Sequence, residues 1–193
     1  SKSLKLYLNS LNQERYKNRE TVRSLIENDL SLVSLCEVKV VIHPLDEIEN
    51  EAFSARPGRC IDHIDVELGA RQPDAELLNI ADLDADDEIL YSDLFRSNCP
   101  VTGQPDWASI ELRYTGKKIS ESSLLQYLIS FREHQGYHEE CAERIFRDIM
   151  LTCQPSELRV GMNFLRRGGL DINVYRSTEP VTSDSVNARL TRQ

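Results

Sequence analysis

A cysteine and an aspartate seven positions apart are the residues whose types and spacing most suggest chemistry. Cys99 and Asp106 lie in the run 96–107, which two prolines, a glycine and several small polar residues mark as a loop. The thiolate is the reactive form of cysteine, and a nearby carboxyl group can exchange protons with it or with a group that adds to it. Cysteines that only pack usually lie inside an apolar run, so this setting favours a nucleophile over a structural thiol.

A second group of candidates lies where two predicted helices meet. His138 could act there as a general acid or base, and Glu139 could accept two hydrogen bonds from a planar heterocycle. Residue types alone leave alternatives open. Glu139 could be a solvated carboxylate favoured by the helix dipole. Cys99 and His138 could form a cysteine-dependent hydrolase or amidohydrolase, or Cys99 could be incidental in a non-catalytic purine-binding module.

Cations beside glycines form the third group. Arg166 and Arg167 precede Gly168 and Gly169, where the backbone could approach a ligand closely and two guanidinium groups could bind phosphate. The alternative is a hairpin turn with solvated charges. No Gly-x-Gly-x-x-Gly motif follows a predicted strand, so a Rossmann cofactor site is not indicated.

Two patterns resemble metal sites but fit them poorly. His134 and His138 are four apart, as metal ligands on one helix face would be, but Gly136 interrupts the helix and no third ligand follows. The acidic run within 74–93 lacks the central glycine and the final glutamate of a calcium loop. We therefore predict a solvated loop over that run and no metal site.

The composition is that of a globular protein and limits its class. The 193 residues are 40% hydrophobic, enough for one good core or two small ones. A net charge of −9 argues against general nucleic-acid binding, which needs a basic face. Five cysteines without paired short spacings favour reduced thiols in a cytoplasm, and no apolar run approaches the roughly 20 residues of a membrane span.

The elements that must position the candidates follow from periodicity. Residues 4–10 and 38–43 alternate and predict strands, with a helix between them whose apolar stripe includes Ile26. From about residue 60 the predicted order is strand, strand, helix, helix, strand, strand; the four strands span 61–68, 108–114, 157–164 and 170–175. The sequence begins without methionine, directly on a strand-like run, so we expect an N-terminal part to be missing.

Four stretches, taken in order, resemble the motifs of one family: 1–7, 97–107, 131–141 and 166–173. The family is the NADPH-dependent 7-cyano-7-deazaguanine reductases (QueF family), the nitrile reductases of queuosine biosynthesis, and the match spans nearly the whole chain. The resemblance implies the long tandem form lacking its N-terminal part. Its fold would be the α+β tunnelling fold, an antiparallel sheet with helices packed on one face. Residues 1–44 would be the remainder of the first unit, 45–95 a connecting segment with the first strand of the second, and 96–193 the second unit, which bears the catalytic loop.

The resemblance also implies a role for each candidate. Cys99 would add to the nitrile carbon and form a thioimide, Asp106 would protonate the developing nitrogen anion, and His138 would assist proton delivery. NADPH would then supply two hydrides as a co-substrate. The substrate-binding positions would be Ser1, Lys2, His138 and Glu139, and the NADPH-binding positions Lys2, Ser3, Arg167 and Gly168.

The resemblance further implies a cytoplasmic homodimer that needs no metal and contacts no nucleic acid directly. One departure from the family pattern concerns the first motif. The family's motif begins with a glutamate that binds the base, whereas this sequence starts one residue later.

Overall fold

The chain divides into two compact units, Ser1–Ala52 and Phe53–Gln193. The structure is a computed structural model and describes residues 2–43, 56–67 and 69–180, with the side chain of Lys2 left out. Predictions that fall on Ser1, on residue 68 and on the tail beyond 180 therefore lie outside the described residues.

The first unit is helical where it is described. Helix α1 spans Lys2–Leu11 and α2 spans Arg19–Ser34. The predicted strand over 4–10 is wrong, because Leu4, Leu8 and Leu11 also recur at helical spacing. Tyr7 of α1 donates a hydrogen bond to Asp29 of α2 at 2.7 Å, which ties the two helices together.

Helix α2 forms as predicted, whereas the strand predicted after it does not. The Asn18 side chain caps the start of α2 by accepting from the Thr21 amide at 2.9 Å, and Ile26 on its apolar stripe is buried. Residues 38–43 form no strand. The Val40 amide instead donates to the carboxylate of Glu27 at 3.0 Å, so a helix side chain replaces a partner strand.

The second unit is built on a five-stranded sheet in the order β1-β2-β3-β4-β5. Strand β1 pairs parallel to β2, and the other neighbours pair antiparallel. The bounds of the strands are Arg59–Cys60, Ile80–Asn98, Pro105–Ile119, Glu157–Phe164 and Asn173–Ser177. Between β3 and β4 lie helices α3 (Glu121–Ile129) and α4 (His138–Thr152), joined by a 3-10 turn over Ser130–Glu133.

The acidic run predicted to be a loop is part of the long strand β2, and no strand spans the predicted 61–67. Acidic residues have low strand propensity, but pairing with β3 overrides it here. Lys117 of β3 lies 3.3 Å from Asp82 and 3.1 Å from Asp84, so the acidic side chains meet cations across the pair. Three register shifts interrupt the β2–β3 pairing and accommodate this irregular segment.

The core lies between one face of the sheet and the two helices. Alternate residues of β3 (Ala108, Ile110, Leu112 and Tyr114) are at most 1% exposed and pack with α3 and α4, whereas Arg113 between them is exposed. The predicted α+β class, with helices packed on one face of the sheet, is therefore confirmed. The sheet is mixed rather than wholly antiparallel, because the short strand β1 runs parallel to β2. No helix in the described part of the chain is long and apolar enough to cross a membrane.

Candidate active site

Cys99 lies in the tight loop that joins β2 to β3. The Gly103 amide donates to the Cys99 carbonyl at 2.8 Å, and the Cys99 amide donates to the Gln104 carbonyl at 2.8 Å. Gly103 has a φ of +68° and open space around it, so glycine is needed there for its backbone conformation. The hairpin thus holds a partly buried thiol directly after the last residue of β2.

The loop end of β2 is fastened to the segment that leads into α4. The Asn98 amide donates to the His134 carbonyl at 2.8 Å, the Gly136 amide donates to the Asn98 carbonyl at 3.2 Å, and the Asn98 side chain donates to the Arg132 carbonyl at 3.2 Å. A Cβ at position 136 would lie 2.9 Å from His134 Nε2 and 3.3 Å from Cys141 Sγ, so glycine permits this approach. These bonds fix the Cys99 loop beside the start of α4.

Asp106 and His138 meet at this junction. Asp106 is 4% exposed on the helix-facing side of β3, and its Oδ1 lies 3.4 Å from His138 Nε2. The imidazole stacks on the ring of Phe164 with centroids 3.9 Å apart and planes 15° apart. The carboxylate and the aromatic ring together fix the orientation of His138, the first residue of α4.

The glycine turn between β4 and β5 brings Arg167 to the same place. Arg167 and Leu170 exchange backbone hydrogen bonds of 3.0 and 3.1 Å, and Gly168 and Gly169 have φ values of +56° and +86°. The Arg167 guanidinium forms an ion pair with Asp106 Oδ1 and donates to the Pro105 carbonyl at 3.2 Å. This turn therefore places a cation in the site.

The surroundings of Cys99 activate its thiol. Hydrogen bonds lower the pKa of Cys99 to about 7 and outweigh the opposite effect of burial. The largest contributions come from the side chain and the backbone of Thr102, and smaller ones come from the Val101 backbone and the Arg167 side chain. Burial instead raises the pKa of Cys141 and of Cys153 to about 11. Near neutral pH a substantial fraction of Cys99 is thus thiolate, whereas those two buried thiols stay protonated.

We expect Thr102→Val to raise the pKa of Cys99 towards the ordinary thiol value of about 8.5, because it removes the strongest hydrogen bond to the thiolate. The thiolate fraction at pH 7 would fall by roughly three- to tenfold, because the backbone hydrogen bonds and Arg167 still lower the pKa in part. The pH dependence of iodoacetamide alkylation at Cys99, followed by peptide mass, measures this shift. Thr102→Ser keeps the hydroxyl and should alkylate like the parent; equal profiles for Thr102→Val and the parent would contradict the assignment.

The structure brings together four of the predicted site residues: Cys99, Asp106, His138 and Arg167. Glu139 is exposed in the first turn of α4, and Gly168 is exposed in the turn after Arg167.

The remaining predicted site residues belong to the first unit or lie outside the described residues. Lys2 and Ser3 are in α1 of the first unit, with Ser3 exposed, and Ser1 is not among the described residues.

Two residues that shape the site were missed by the sequence analysis. Thr102 could have been found, because it lies in the same short loop as Cys99 and carries a hydroxyl. Phe164 has no local signal. Its place beside His138 depends on the β3–β4 register, which pairs it with Ala108.

Together these groups can support addition of a thiol to a polarised multiple bond. The arrangement contains an activated thiol, a buried carboxylate able to carry a proton, an oriented imidazole and a compensating cation.

Comparison with known proteins gives matches along the chain. The family model "Nitrile reductase, 7-cyano-7-deazaguanine-reductase N-term" matches residues 1–42, and the model "QueF-like protein" matches residues 105–182. A protein of Legionella pneumophila (strain Corby) named NADPH-dependent 7-cyano-7-deazaguanine reductase is 50% identical over 194 residues, covering 100% of this chain and 68% of its own. One of the same name from Desulfotalea psychrophila is 48% identical over 195 residues, covering 100% and 70%.

A solved structure also shows a likeness, although a distant one. The crystal structure of the archaeosine synthase QueF-Like in the apo form covers 49% of this chain and 92% of its own, with a TM-score of 0.43 and 17% identity. The sequence relatives, with about half of all residues identical over the full length of this chain, decide the assignment. The chain belongs to the family of NADPH-dependent 7-cyano-7-deazaguanine reductases.

Proposed function

We propose that this protein reduces the nitrile of 7-cyano-7-deazaguanine to the aminomethyl group of 7-aminomethyl-7-deazaguanine, a four-electron reduction that consumes two NADPH. The observation that carries the proposal is the low-pKa Cys99 thiol beside the buried pair of Asp106 and His138. We place the reaction in cytoplasmic queuosine biosynthesis, and we expect a homodimer whose sheets are tunnelling-fold units.

The first step forms a covalent bond between the protein and the ligand. The Cys99 sulfur adds to the nitrile carbon, one π-electron pair of the C–N bond moves to nitrogen, and Asp106 delivers the proton lost by the thiol to that nitrogen. The product is a thioimide, and nothing is expelled. His138, 3.4 Å from Asp106, is placed to return a proton to the carboxylate for later steps.

NADPH supplies two hydrides and the protein supplies the protons. The first hydride reaches the thioimide carbon, and loss of the Cys99 thiolate from the protonated adduct gives an imine. The second hydride reduces the imine carbon, and a proton completes the amine. Cys99 is regenerated, so each turnover consumes two hydrides and two protons.

The glycine turn fits the phosphates of such a co-substrate. The side chains of Arg166 and Arg167 are 41% and 36% exposed, and a Cβ at position 169 would meet nothing within 4 Å, so the turn is open to a ligand. Guanidinium groups bind phosphate oxygens in a fixed fork geometry. This supports Arg167 and Gly168 as NADPH-binding positions. Lys2 and Ser3 of the first unit are proposed as NADPH-binding positions on the resemblance to the family alone.

The substrate-binding positions are Ser1, Lys2, His138 and Glu139. Glu139 suits this role because its exposed carboxylate can accept two hydrogen bonds from the amine and ring N–H groups of a deazaguanine. The neighbouring carboxylate has a structural role instead, because Glu140 accepts a hydrogen bond from the Tyr137 amide at 2.8 Å and caps the start of α4.

The hydrolase alternative fits the geometry less well. A hydrolase base must lie within hydrogen-bond reach of its nucleophile, whereas His138 directs Nε2 to Asp106, and Cys99 is hydrogen-bonded by Thr102. The observed contacts suit a shared proton carrier better than a cysteine–histidine pair.

Deuteride transfer tests the proposed function. The complete protein is incubated with 7-cyano-7-deazaguanine and NADPH deuterated at the transferred position. We expect an amine with two deuterium atoms on the exocyclic carbon and two NADPH oxidised per nitrile. A product heavier by one water, formed without NADPH oxidation, would identify a hydrolase. If the protein binds 7-cyano-7-deazaguanine tightly but the ligand is recovered unchanged, the protein is a non-catalytic binding module.

A further inference from the structure

We infer that Arg167 is a positioning residue for the thiol-addition step: its guanidinium holds Cys99 and Asp106 together and compensates the single negative charge they share. This role is separate from cofactor binding and acts before any hydride is transferred. The inference rests on the proposed function only for the identity of the electrophile that Cys99 attacks.

The place of the guanidinium is fixed by the β2–β3 hairpin. Asn98 and Pro105 are the last paired residues of the hairpin, and Cys99 and Asp106 follow them along the chain. Arg167 reaches this point from the β4–β5 turn, donates to the Pro105 carbonyl at 3.2 Å and pairs with Asp106 Oδ1. The cation therefore contacts the first two residues of β3, of which Asp106 is the acid, and its side chain also hydrogen-bonds to Cys99 in the adjoining loop.

A charge balance explains why a cation is needed there. Before addition, Cys99 and Asp106 share one proton and one negative charge, whether the form is thiol with carboxylate or thiolate with carboxylic acid. After addition the proton is on the nitrile nitrogen and the charge is on Asp106. The fixed guanidinium offsets this negative charge both before and after the addition. The effect is stronger than in water because Asp106 is only 4% exposed.

The other titratable groups around Asp106 carry no permanent positive charge. Helix α4 contributes His138 and the Cys141 thiol, which burial keeps protonated by raising its pKa to about 11. The hairpin loop contributes Cys99 itself. Arg167 is thus the permanently charged cation in contact with Asp106 among the described residues.

Arg166, one residue earlier in the same turn, is a matched comparison. It forms two hydrogen bonds to the carboxylate of Asp171, of 3.0 and 2.7 Å, in an exposed pair. The two adjacent arginines therefore have different partners: one supports the turn, and the other reaches the reacting groups. Changing each in turn separates a charge effect at Cys99 from a general effect on the turn.

Alkylation of Cys99 by iodoacetamide tests the inference without substrate or cofactor. We expect Arg167→Gln to raise the pH midpoint of alkylation by about half a unit, less than Thr102→Val does, so that the rate at pH 7 falls about twofold. Arg166→Gln should leave the profile unchanged, and Arg167→Lys, which keeps the charge, should restore part of the rate. The second measurement is the rate at which 7-cyano-7-deazaguanine adds covalently to the complete protein without NADPH. This rate should fall in Arg167→Gln by about the same factor as alkylation, and it should not change in Arg166→Gln.

The outcomes separate this inference from the proposed function. Unchanged alkylation and NADPH-free addition in Arg167→Gln, with only a raised KM for NADPH, would overturn the inference and leave Arg167 as a cofactor ligand. Failure of the parent protein to add the nitrile would overturn the proposed function, while the alkylation profiles would still report on Arg167. If Arg167→Gln does not fold, Arg167→Met takes its place, because it removes the charge but keeps a long unbranched side chain. An alkylation profile and an addition rate equal to those of the parent would then overturn the inference.

Discussion

Replacing Cys99 with alanine will abolish covalent capture of 7-cyano-7-deazaguanine and lower its reduction by roughly a thousandfold or more. Cys99 is the thiol whose hydrogen bonds, led by those from Thr102, lower its pKa to about 7 in a loop fastened beside the proton-carrying pair. Without the sulfur there is no thioimide to accept the first hydride. Ligand binding should persist, because no base-recognising group is removed.

The measurement uses the complete protein with ligand and no NADPH, followed by native mass and by the absorbance of the thioimide. The parent adduct should carry the full mass of the ligand, because addition expels nothing, and NADPH should discharge it. Cys36→Ala is the control, since Cys36 is an exposed thiol of the first unit. Adduct formation by Cys99→Ala, or an adduct lighter than the ligand, would contradict the reductase mechanism.

Cys99 and Asp106, the proposed nucleophile and acid, could be picked out from the sequence because both lie in one hairpin. A seven-residue spacing across a tight loop places Cys99 and Asp106 close to each other whatever the remainder of the fold does. Arg167 and Phe164 are different, because they reach the site through the pairing of β4 with β3 and through the turn after β4. Long-range register cannot be inferred from local periodicity, so the counter-ion role of Arg167 and the stacking role of Phe164 emerged only from the structure.

The fold was predicted well in the region of two helices and two final strands, where apolar periodicity is clear. The strand over Glu157–Phe164 agrees to the residue, and helix α4 lies in the predicted order with Cys141 and Ile149 buried on its inner face. The errors fell where local patterns are ambiguous. Leu4 and Leu8 satisfy both a strand and a helix period, and the acidic half of β2 becomes a strand only because β3 supplies Lys117 as a partner.

Replacing Asp106 with asparagine will slow NADPH-free adduct formation by about 10²–10⁴-fold, the usual contribution of a general acid. Asparagine has nearly the same shape but cannot carry the proton to the nitrile nitrogen. Cys99 alkylation should respond in the opposite direction. Removal of the carboxylate leaves the Arg167 guanidinium with the thiolate as its anionic neighbour, so alkylation at pH 7 should be at least as fast as in the parent.

These opposite responses distinguish loss of the proton donor from damage to the site, because damage would slow both reactions. Asp171→Asn is the control: it removes the partner of Arg166 on the same turn and should change neither rate. If Asp106→Asn forms the adduct at the parent rate, Asp106 is not the donor, and His138, whose Nε2 lies 3.4 Å from its Oδ1, becomes the group to replace next. If alkylation falls together with adduct formation, the substitution has damaged the site, and the slower addition does not identify Asp106 as the proton donor.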